Sequence, residues 1–141
     1  MAQIIIILAL TMWGEAGVMS DEAGLGVGHV LRNRAMEMGS YERAVVGFYG
    51  YDPAAQAPAH YYDLARQVLD DPDPTQGSLY VFSYQDVRNL VGNDAPCIRQ
   101  LALWQSELRQ IDGIPYRLYA YKDWPGDLDA GPAALCDERW E

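Results

Sequence analysis

Cysteine and histidine are scarce in this sequence. Its 141 residues include two Cys, at Cys97 and Cys136, and two His, at His29 and His60. These four residues lack the paired spacing of a zinc site, so we expect no metal and no cofactor. A disulfide between the two cysteines is compatible with a chain that works outside a reducing compartment.

Positive charge is also scarce. The chain has 10 basic and 20 acidic residues, a net charge of −10, and its single lysine is Lys122. The acidic excess lies mainly in residues 52–94 and 121–141. Because nucleic acids and anionic membrane surfaces would repel such a chain, we expect neither as a partner.

Long apolar runs are missing. The N-terminal "MAQIIIILAL" is apolar over roughly ten residues, about half of what a membrane-spanning helix needs. It lacks a basic n-region, and a small-residue cleavage site would fall inside the sequence that follows. We therefore read it as a buried structural segment, with no signal peptide and no stable membrane insertion.

The aromatic residues are biased toward those that carry a polar group. The sequence has two Phe but ten Tyr and four Trp. Such rings combine an apolar face with a hydrogen-bonding group and suit pockets for polar, ring-shaped ligands. Filling a small core is the other interpretation, and composition does not separate the two.

The length of the chain suits one domain, residues 1–141, with one core. Its first predicted element is a buried helix. Residues 3–16 are apolar on all sides. The isoleucine run favours a strand, but the length and the Gly17 that follows favour a buried helix, which we predict. One face of this helix carries Ile4, Leu8, Thr11, Met12 and Glu15.

A second helix is predicted after Ser20, whose side chain suits an N-cap, and it ends at Gly39. Its glycines Gly24, Gly26 and Gly28 predict that another backbone, most naturally the first helix, comes close. His29 lies off the apolar stripe and is expected to be a surface or hydrogen-bonded polar residue.

The rest of the chain predicts a loop over 40–58, a helix over 59–69, a strand over 79–84, a helix over 97–111 and a strand over 114–121. The predicted class is α+β, a mainly helical domain with a small antiparallel β-hairpin.

Glu15 is the candidate for chemistry because it ends the apolar run. Cleavage of a glycosidic bond requires a carboxylic acid that protonates the leaving oxygen, and an apolar setting raises the pKa of such an acid. Met12 and Trp13 supply apolar neighbours, so we expect burial to favour the protonated form of Glu15. A salt bridge to Arg32 or Arg34 is the structural alternative.

One acid suffices only for a particular reaction. Ordinary glycoside hydrolysis uses two carboxylates, and no second acid is singled out by its spacing among Asp21, Glu22, Asp52, Asp63 and Asp73. If a hydroxyl of the sugar itself attacks the anomeric carbon, a single Glu first donates a proton and then takes one back. N-acetylmuramic acid allows this reaction, which is a lytic transglycosylation.

Three blocks of the sequence carry a family resemblance. Trp13-Gly14-Glu15-Ala16 follows the pattern (Y/W)-G-E-A, and the second helix carries V-x-x-V-x-x-N-R as Val27, Val30, Asn33 and Arg34. A D-P-T-x-G-A-x-Y pattern is matched by Asp73-Pro74-Thr75-Gln76-Gly77-Ser78-Leu79-Tyr80, with Ser78 in place of the alanine. The chain thereby resembles the spore-cortex-lytic, cell-wall-hydrolase family. The similar blocks lie within residues 4–84, whereas residues 86–141 diverge.

The resemblance implies a lysozyme-like fold with a groove for peptidoglycan glycan strands. Glu15 would be its sole catalytic acid and base, and Asn33 would brace the helix that carries it. The implied substrate-binding residues are Thr75, Tyr80, Tyr49 and Tyr51. The family's R-G-E after the catalytic glutamate is Gly17-Val18-Met19 here, which removes a charged pair near the site.

Three functions follow as expectations. The leading one is a monomeric peptidoglycan lytic transglycosylase or muramidase-like glycosidase that acts at the bacterial cell wall, such as a phage endolysin released through a holin pore. The second is a catalytically inactive peptidoglycan-binding or virion structural module on the same fold, motivated by the lost charges. The third is an amidase, which would need a metal or a Cys–His pair.

Overall fold

The computed structural model describes residues 2–17, 20–83, 104–111 and 114–121. Cys97 and Cys136 lie outside these residues. The elements in chain order are α1 Ala2–Ala16, α2 Asp21–Met38, α3 Tyr41–Ala44, a 3₁₀ turn Val45–Gly47, α4 His60–Asp70, β1 Tyr80–Ser83, β2 Trp104–Ile111 and β3 Ile114–Tyr121.

Helix α1 confirms the prediction over residues 3–16. Its middle is fully enclosed, since Ile7 through Met12 are all buried. The Thr11 hydroxyl donates a hydrogen bond of 2.7 Å to the backbone oxygen of Ile7 one turn earlier. This satisfies a polar group that would otherwise be unpaired inside the core.

Helix α2 begins and ends at the residues that the sequence indicated. The Ser20 side chain accepts a hydrogen bond from the Ala23 amide at 3.3 Å, and Gly39 ends the helix in the left-handed conformation. A Cβ added to Gly28 would lie 2.7 Å from the Met12 sulfur and 2.6 Å from Cγ2 of Val68. Gly28 therefore lets α2 approach both α1 and α4.

Helices α1, α2 and α4 pack against one another and enclose the core. Helix α4 confirms the prediction over residues 59–69, with its buried face on α1 and α2. The helix-rich part of the predicted class is thus confirmed. The buried residues of this core are Ile7, Leu8, Ala9, Met12, Ala16, Ala23, Val27, Val30, Leu31, Ala35, Ala44, Val45, Phe48, Tyr61, Leu64, Ala65 and Val68.

Two segments differ from the sequence-based predictions. The predicted loop over 40–58 begins with α3, whose N-cap Ser40 accepts from the Arg43 amide at 3.1 Å. The predicted helix over 97–111 is wrong where the structure describes it, because Trp104–Ile111 is strand β2. Residues 97–103 lie outside the described part of the chain.

The three strands form an antiparallel sheet in the order β1-β3-β2. Tyr80 pairs with Tyr121 between β1 and β3, and Trp104 pairs with Ala120 between β2 and β3. The β2–β3 ladder shifts register between Glu107 and Gln110. Such a bulge interrupts the alternation of side chains that sequence patterns use to identify a strand.

Crossing a bilayer requires a helix that is both long and apolar. Among the helices of the described ranges, none meets both conditions.

Candidate active site around Glu15

Glu15 lies in the last turn of α1 and is half-buried. Its Oε1 atom accepts a hydrogen bond of 2.8 Å from the backbone N–H of Gly50. Within the residues that the structure describes, its Oε2 atom has no hydrogen-bond donor. Among the described residues, one carboxylate oxygen is thus held by the backbone and the other has no protein donor.

Two glycines make this hydrogen bond possible. A Cβ added to Gly14 would overlap the carbonyl of Gly50, and one added to Gly50 would lie 2.6 Å from the Gly14 oxygen and 2.9 Å from the Glu15 nitrogen. The obstructing atoms belong to the backbone and cannot move aside cheaply. The end of α1 and the loop at Gly50 therefore touch backbone to backbone, which brings the Gly50 N–H to Glu15.

The predicted alternative, a salt bridge from Glu15 to Arg32 or Arg34, is absent from the described residues. Arg32 instead donates a hydrogen bond of 2.9 Å to the backbone oxygen of Val68. The Arg34 guanidinium lies over the ring of Phe48, with its Cζ atom 5.3 Å from the ring centroid. Both arginines are thus directed to other partners.

A second carboxylate, Asp73, is the centre of a hydrogen-bonded turn. Its Oδ1 atom accepts from the Thr75 amide at 2.8 Å and from the Thr75 hydroxyl at 2.7 Å. Its Oδ2 atom accepts from the Gly77 amide at 2.8 Å. Gln76 and Gly77 both have positive φ, 57° and 81°, as in a type I′ turn.

Asn33 ties this turn to α2. Its side-chain nitrogen donates to Asp73 Oδ2 at 2.8 Å and to the backbone oxygen of Ser78 at 2.9 Å. The expected role of Asn33 was to brace α1, the helix that carries Glu15. Its described partners instead place it as the brace of the turn that leads into β1.

The hydrogen bonds determine the charge state of Asp73. Its partial burial alone would raise the pKa of the carboxyl, but the bonds from Thr75, Asn33 and Gly77 outweigh burial and lower that pKa. Asp73 is therefore ionised near neutral pH and its acceptor sites are occupied by protein donors. In the described residues Asp73 thus acts as the acceptor that holds the turn together.

His29 is buried, which corrects the expectation of a surface or hydrogen-bonded residue. Its side chain is 2% exposed, and its Nδ1 atom lies 3.8 Å from Asp73 Oδ1, with no hydrogen-bond partner among the described residues. Burial lowers the pKa of His29, while the nearby Asp73 charge partly opposes that shift. The imidazole is thus neutral at pH 7, and it lies beside the Asp73 turn without a hydrogen bond from its Nδ1 atom to the described residues.

The four residues implied to bind substrate fall into different environments. Tyr49 is 99% exposed and immediately precedes Gly50. Tyr51 is half-buried and packs against the core, and Tyr80 is half-buried with its ring 5.7 Å from Arg34 Cζ. Thr75 is fully buried, so in this conformation it offers no surface to a glycan and its hydroxyl supports the turn.

Sequence reasoning missed two members of this region. Gly50 lies 35 residues from Glu15, and nothing local to either residue indicates their hydrogen bond. His29 was judged by its place on the helical stripe, although a histidine surrounded by Gly28 and Val30 also suits a core position. Both contacts depend on tertiary packing.

Within the described ranges, no three His, Cys, Asp or Glu side chains are grouped so that they could hold a metal ion. Comparisons of the chain with protein-family models, with curated proteins and with solved structures found no match. The geometry around Glu15 and the three sequence blocks are thus the basis for assigning a function.

Proposed function

We propose that this chain cleaves the glycan strands of peptidoglycan by lytic transglycosylation at N-acetylmuramic acid, with Glu15 as the single acid and base. On this proposal the helix-rich domain is lysozyme-like, and the three-stranded antiparallel sheet stands in place of the predicted β-hairpin. The protein would act at the bacterial cell wall as a monomer, in the manner of a phage endolysin.

One observation carries the proposal: within the described residues, the Glu15 carboxyl is held through one oxygen and has no donor at the other. The Gly50 N–H fixes Oε1 at 2.8 Å. A fixed carboxyl loses less orientational freedom when a substrate binds, and this lowers the barrier of a proton transfer. Asp73 lacks this property because protein donors occupy both of its oxygens.

The reaction requires two proton transfers at Glu15. In the first, the protonated carboxyl donates its proton to the glycosidic oxygen while the bond from that oxygen to C1 of the sugar breaks. In the second, the C6 hydroxyl of the same N-acetylmuramic acid attacks C1 and gives its proton to the Glu15 carboxylate. A 1,6-anhydro ring forms, Glu15 returns to its protonated state, and no water is consumed.

Tyr49 is the best placed of the implied substrate contacts. It is exposed and adjacent in the chain to Gly50, which holds Glu15. An aromatic ring that is open to solvent offers an apolar face on which a sugar ring can stack. In the same proposal, the half-buried rings of Tyr51 and Tyr80 form the side walls of the groove.

The test is digestion of purified peptidoglycan by the wild-type chain and by Glu15→Gln, followed by mass spectrometry of the fragments. Glutamine keeps an oxygen that can accept the Gly50 hydrogen bond, but its amide is not an acid and cannot transfer a proton to the glycosidic oxygen. We expect the wild type to release fragments that end in an anhydro ring, and Glu15→Gln to lose at least about 10²-fold of that activity. The exposed Glu37 on α2 gives the matched control, Glu37→Gln.

The products distinguish the alternatives. Fragments with reducing ends would replace transglycosylation by hydrolysis. Peptidoglycan that binds the wild-type chain and stays intact at every pH tested would favour the inactive binding or virion module. Full activity of Glu15→Gln in a folded protein would exclude Glu15 as the acid.

A further inference from the structure

Arg34 lies between two segments that are distant in sequence. Its Cζ atom is 5.3 Å from the ring centroid of Phe48 and 5.7 Å from that of Tyr80. Both distances are within the range of cation–π contacts. In the part of the chain that the structure describes, no carboxylate forms an ion pair with Arg34, so its described partners are aromatic rings.

The same guanidinium also contacts the backbone of the loop. A Cβ added to Gly47 would lie 2.5 Å from Nη2 of Arg34 and 2.9 Å from its Cζ. The glycine leaves the space that the guanidinium occupies. Arg34 thus lies against two successive residues, Gly47 and Phe48, of the loop that continues to Gly50.

This loop leads directly to Glu15. Phe48 accepts a hydrogen bond of 3.1 Å from the Tyr51 amide, which closes a turn around Gly50. The Gly50 N–H then binds Glu15 Oε1 at 2.8 Å. A change in the position of Phe48 therefore moves the donor that orients the carboxyl.

The second ring, Tyr80, lies next to a hydrogen-bonded segment. Tyr80 begins β1, two residues after Ser78, whose backbone oxygen accepts from Asn33 at 2.9 Å. Asn33 precedes Arg34 on α2, so the two residues hold the β1 segment and the loop from adjacent positions of one helix. Lysine is not equivalent to Arg34 here, because an ammonium is a compact point charge and lacks the planar guanidinium that reaches both rings and Gly47.

We propose that Arg34 is a positioning residue for Glu15, which holds the loop of Gly47–Gly50 so that the Gly50 N–H fixes the carboxyl for proton transfer. The effect on catalysis rests on the proposed function, whereas the effect on the Glu15–Gly50 hydrogen bond does not. Arg34 itself contacts neither the scissile bond nor the attacking hydroxyl in this proposal.

The test combines kinetics with nuclear magnetic resonance of the Gly50 amide in wild type, Arg34→Lys and Gly47→Ala. Gly47 does not have positive φ, so alanine is allowed there and its Cβ would displace the guanidinium tip. We expect both variants to lower kcat by about tenfold or more with KM within about twofold. Arg66→Lys, at an exposed arginine that pairs with Asp63, is the matched control and should leave kcat unchanged.

The amide measurement is independent of activity. In wild type the Gly50 amide shift should move as the Glu15 carboxyl titrates, and Glu15→Gln should abolish that movement. Arg34→Lys and Gly47→Ala should reduce it, whereas Arg66→Lys should preserve it. If Glu15→Gln proved fully active, the proposed function would fail, yet this titration would still decide whether Arg34 positions Glu15.

Three results would overturn the inference. The first is an Arg34→Lys variant with wild-type kcat and a wild-type Gly50 titration. The second is an increase in KM at constant kcat, which would make Arg34 a substrate contact. The third is the loss of a dispersed amide spectrum in both Arg34→Lys and Gly47→Ala, which would make Arg34 necessary for folding.

Discussion

Two carboxylates of this chain, Glu15 and Asp73, are used in opposite ways. Glu15 accepts one backbone hydrogen bond within the described residues, from Gly50, and keeps an oxygen without a donor. Asp73 accepts four, from the Thr75 amide and hydroxyl, the Gly77 amide and the Asn33 side chain.

The difference separates chemistry from folding. Hydrogen-bond donors that occupy every acceptor site of a carboxylate lower its pKa, so the group stays ionised near neutral pH. Such a carboxylate stabilises the structure that supplies the donors. A carboxyl with an unused oxygen stabilises less and remains able to exchange a proton. The comparison predicts that changes at Asp73 will affect mainly stability and that changes at Glu15 will affect mainly turnover.

The largest effect on stability is expected for Asp73→Ala. The change leaves the donors of Thr75, Gly77 and Asn33 without their acceptor at a position that is 21% exposed. We expect a loss of about 3 kcal/mol in the free energy of unfolding, measured by urea denaturation. The exposed Asp70 at the end of α4 provides the control, Asp70→Ala, with a change below about 0.5 kcal/mol. Equal stabilities for the two variants would remove the distinction between Asp73 and a surface acid.

A smaller loss is expected for Gly50→Ala, which tests the Glu15 side of the comparison. The added Cβ would lie 2.6 Å from the Gly14 oxygen, so the loop must retreat from the end of α1. We expect about 2 kcal/mol lower stability together with loss of cleavage, because the Gly50 N–H no longer reaches Glu15. Gly24→Ala is the control, because its added Cβ would lie 3.9 Å from its nearest neighbours, Leu64 and Tyr61. Wild-type cleavage by Gly50→Ala would show that this hydrogen bond is not needed.

The smallest effect concerns pH. The folded-state pKa of His29 is lowered from its ordinary value of 6.5, chiefly by burial. Below pH 6.5 the imidazole of His29 therefore binds a proton more readily in the unfolded chain than in the folded chain. The contribution of neutral His29 to the free energy of unfolding is complete above pH 6.5 and is lost as pH falls. Asp73, with a pKa lowered from 3.8, acts in the same direction but only in stronger acid.

The corresponding measurement is the slope of unfolding free energy between pH 6.5 and pH 5. One proton gives a slope of at most about 1.4 kcal/mol per pH unit. We expect His29→Gln to flatten the slope, while His60→Gln, at an exposed histidine 3.4 Å from Asp21, should retain most of it. An unchanged slope in His29→Gln would contradict the assignment of a buried neutral imidazole.

The helices could be predicted from sequence because their determinants are local. The apolar run of residues 3–16, the N-cap Ser20 and the terminal Gly39 each lie within or beside the helix they define. The sequence of strand β2 predicts a helix because Trp104, Leu108 and Ile111 recur at helical spacing. The register shift between Glu107 and Gln110 breaks the alternation that would have indicated a strand.

The site was only partly predictable for a related reason. Glu15 could be selected because it follows its own apolar neighbours in sequence. Its partner Gly50 lies 35 residues away in the sequence, and Asn33 lies 40 residues from Asp73. Only packing brings each pair together. Thr75 was assigned to substrate from its sequence block, whereas its burial depends on the turn that Asp73 organises.

The most direct test of this division measures two quantities on one variant, Glu15→Gln: its rate of peptidoglycan cleavage and its free energy of unfolding. We expect cleavage to fall at least about 10²-fold while stability changes by less than about 1 kcal/mol, since glutamine can still accept from Gly50. Wild-type cleavage, or a loss of stability as large as that expected for Asp73→Ala, would contradict the assignment of Glu15 to chemistry.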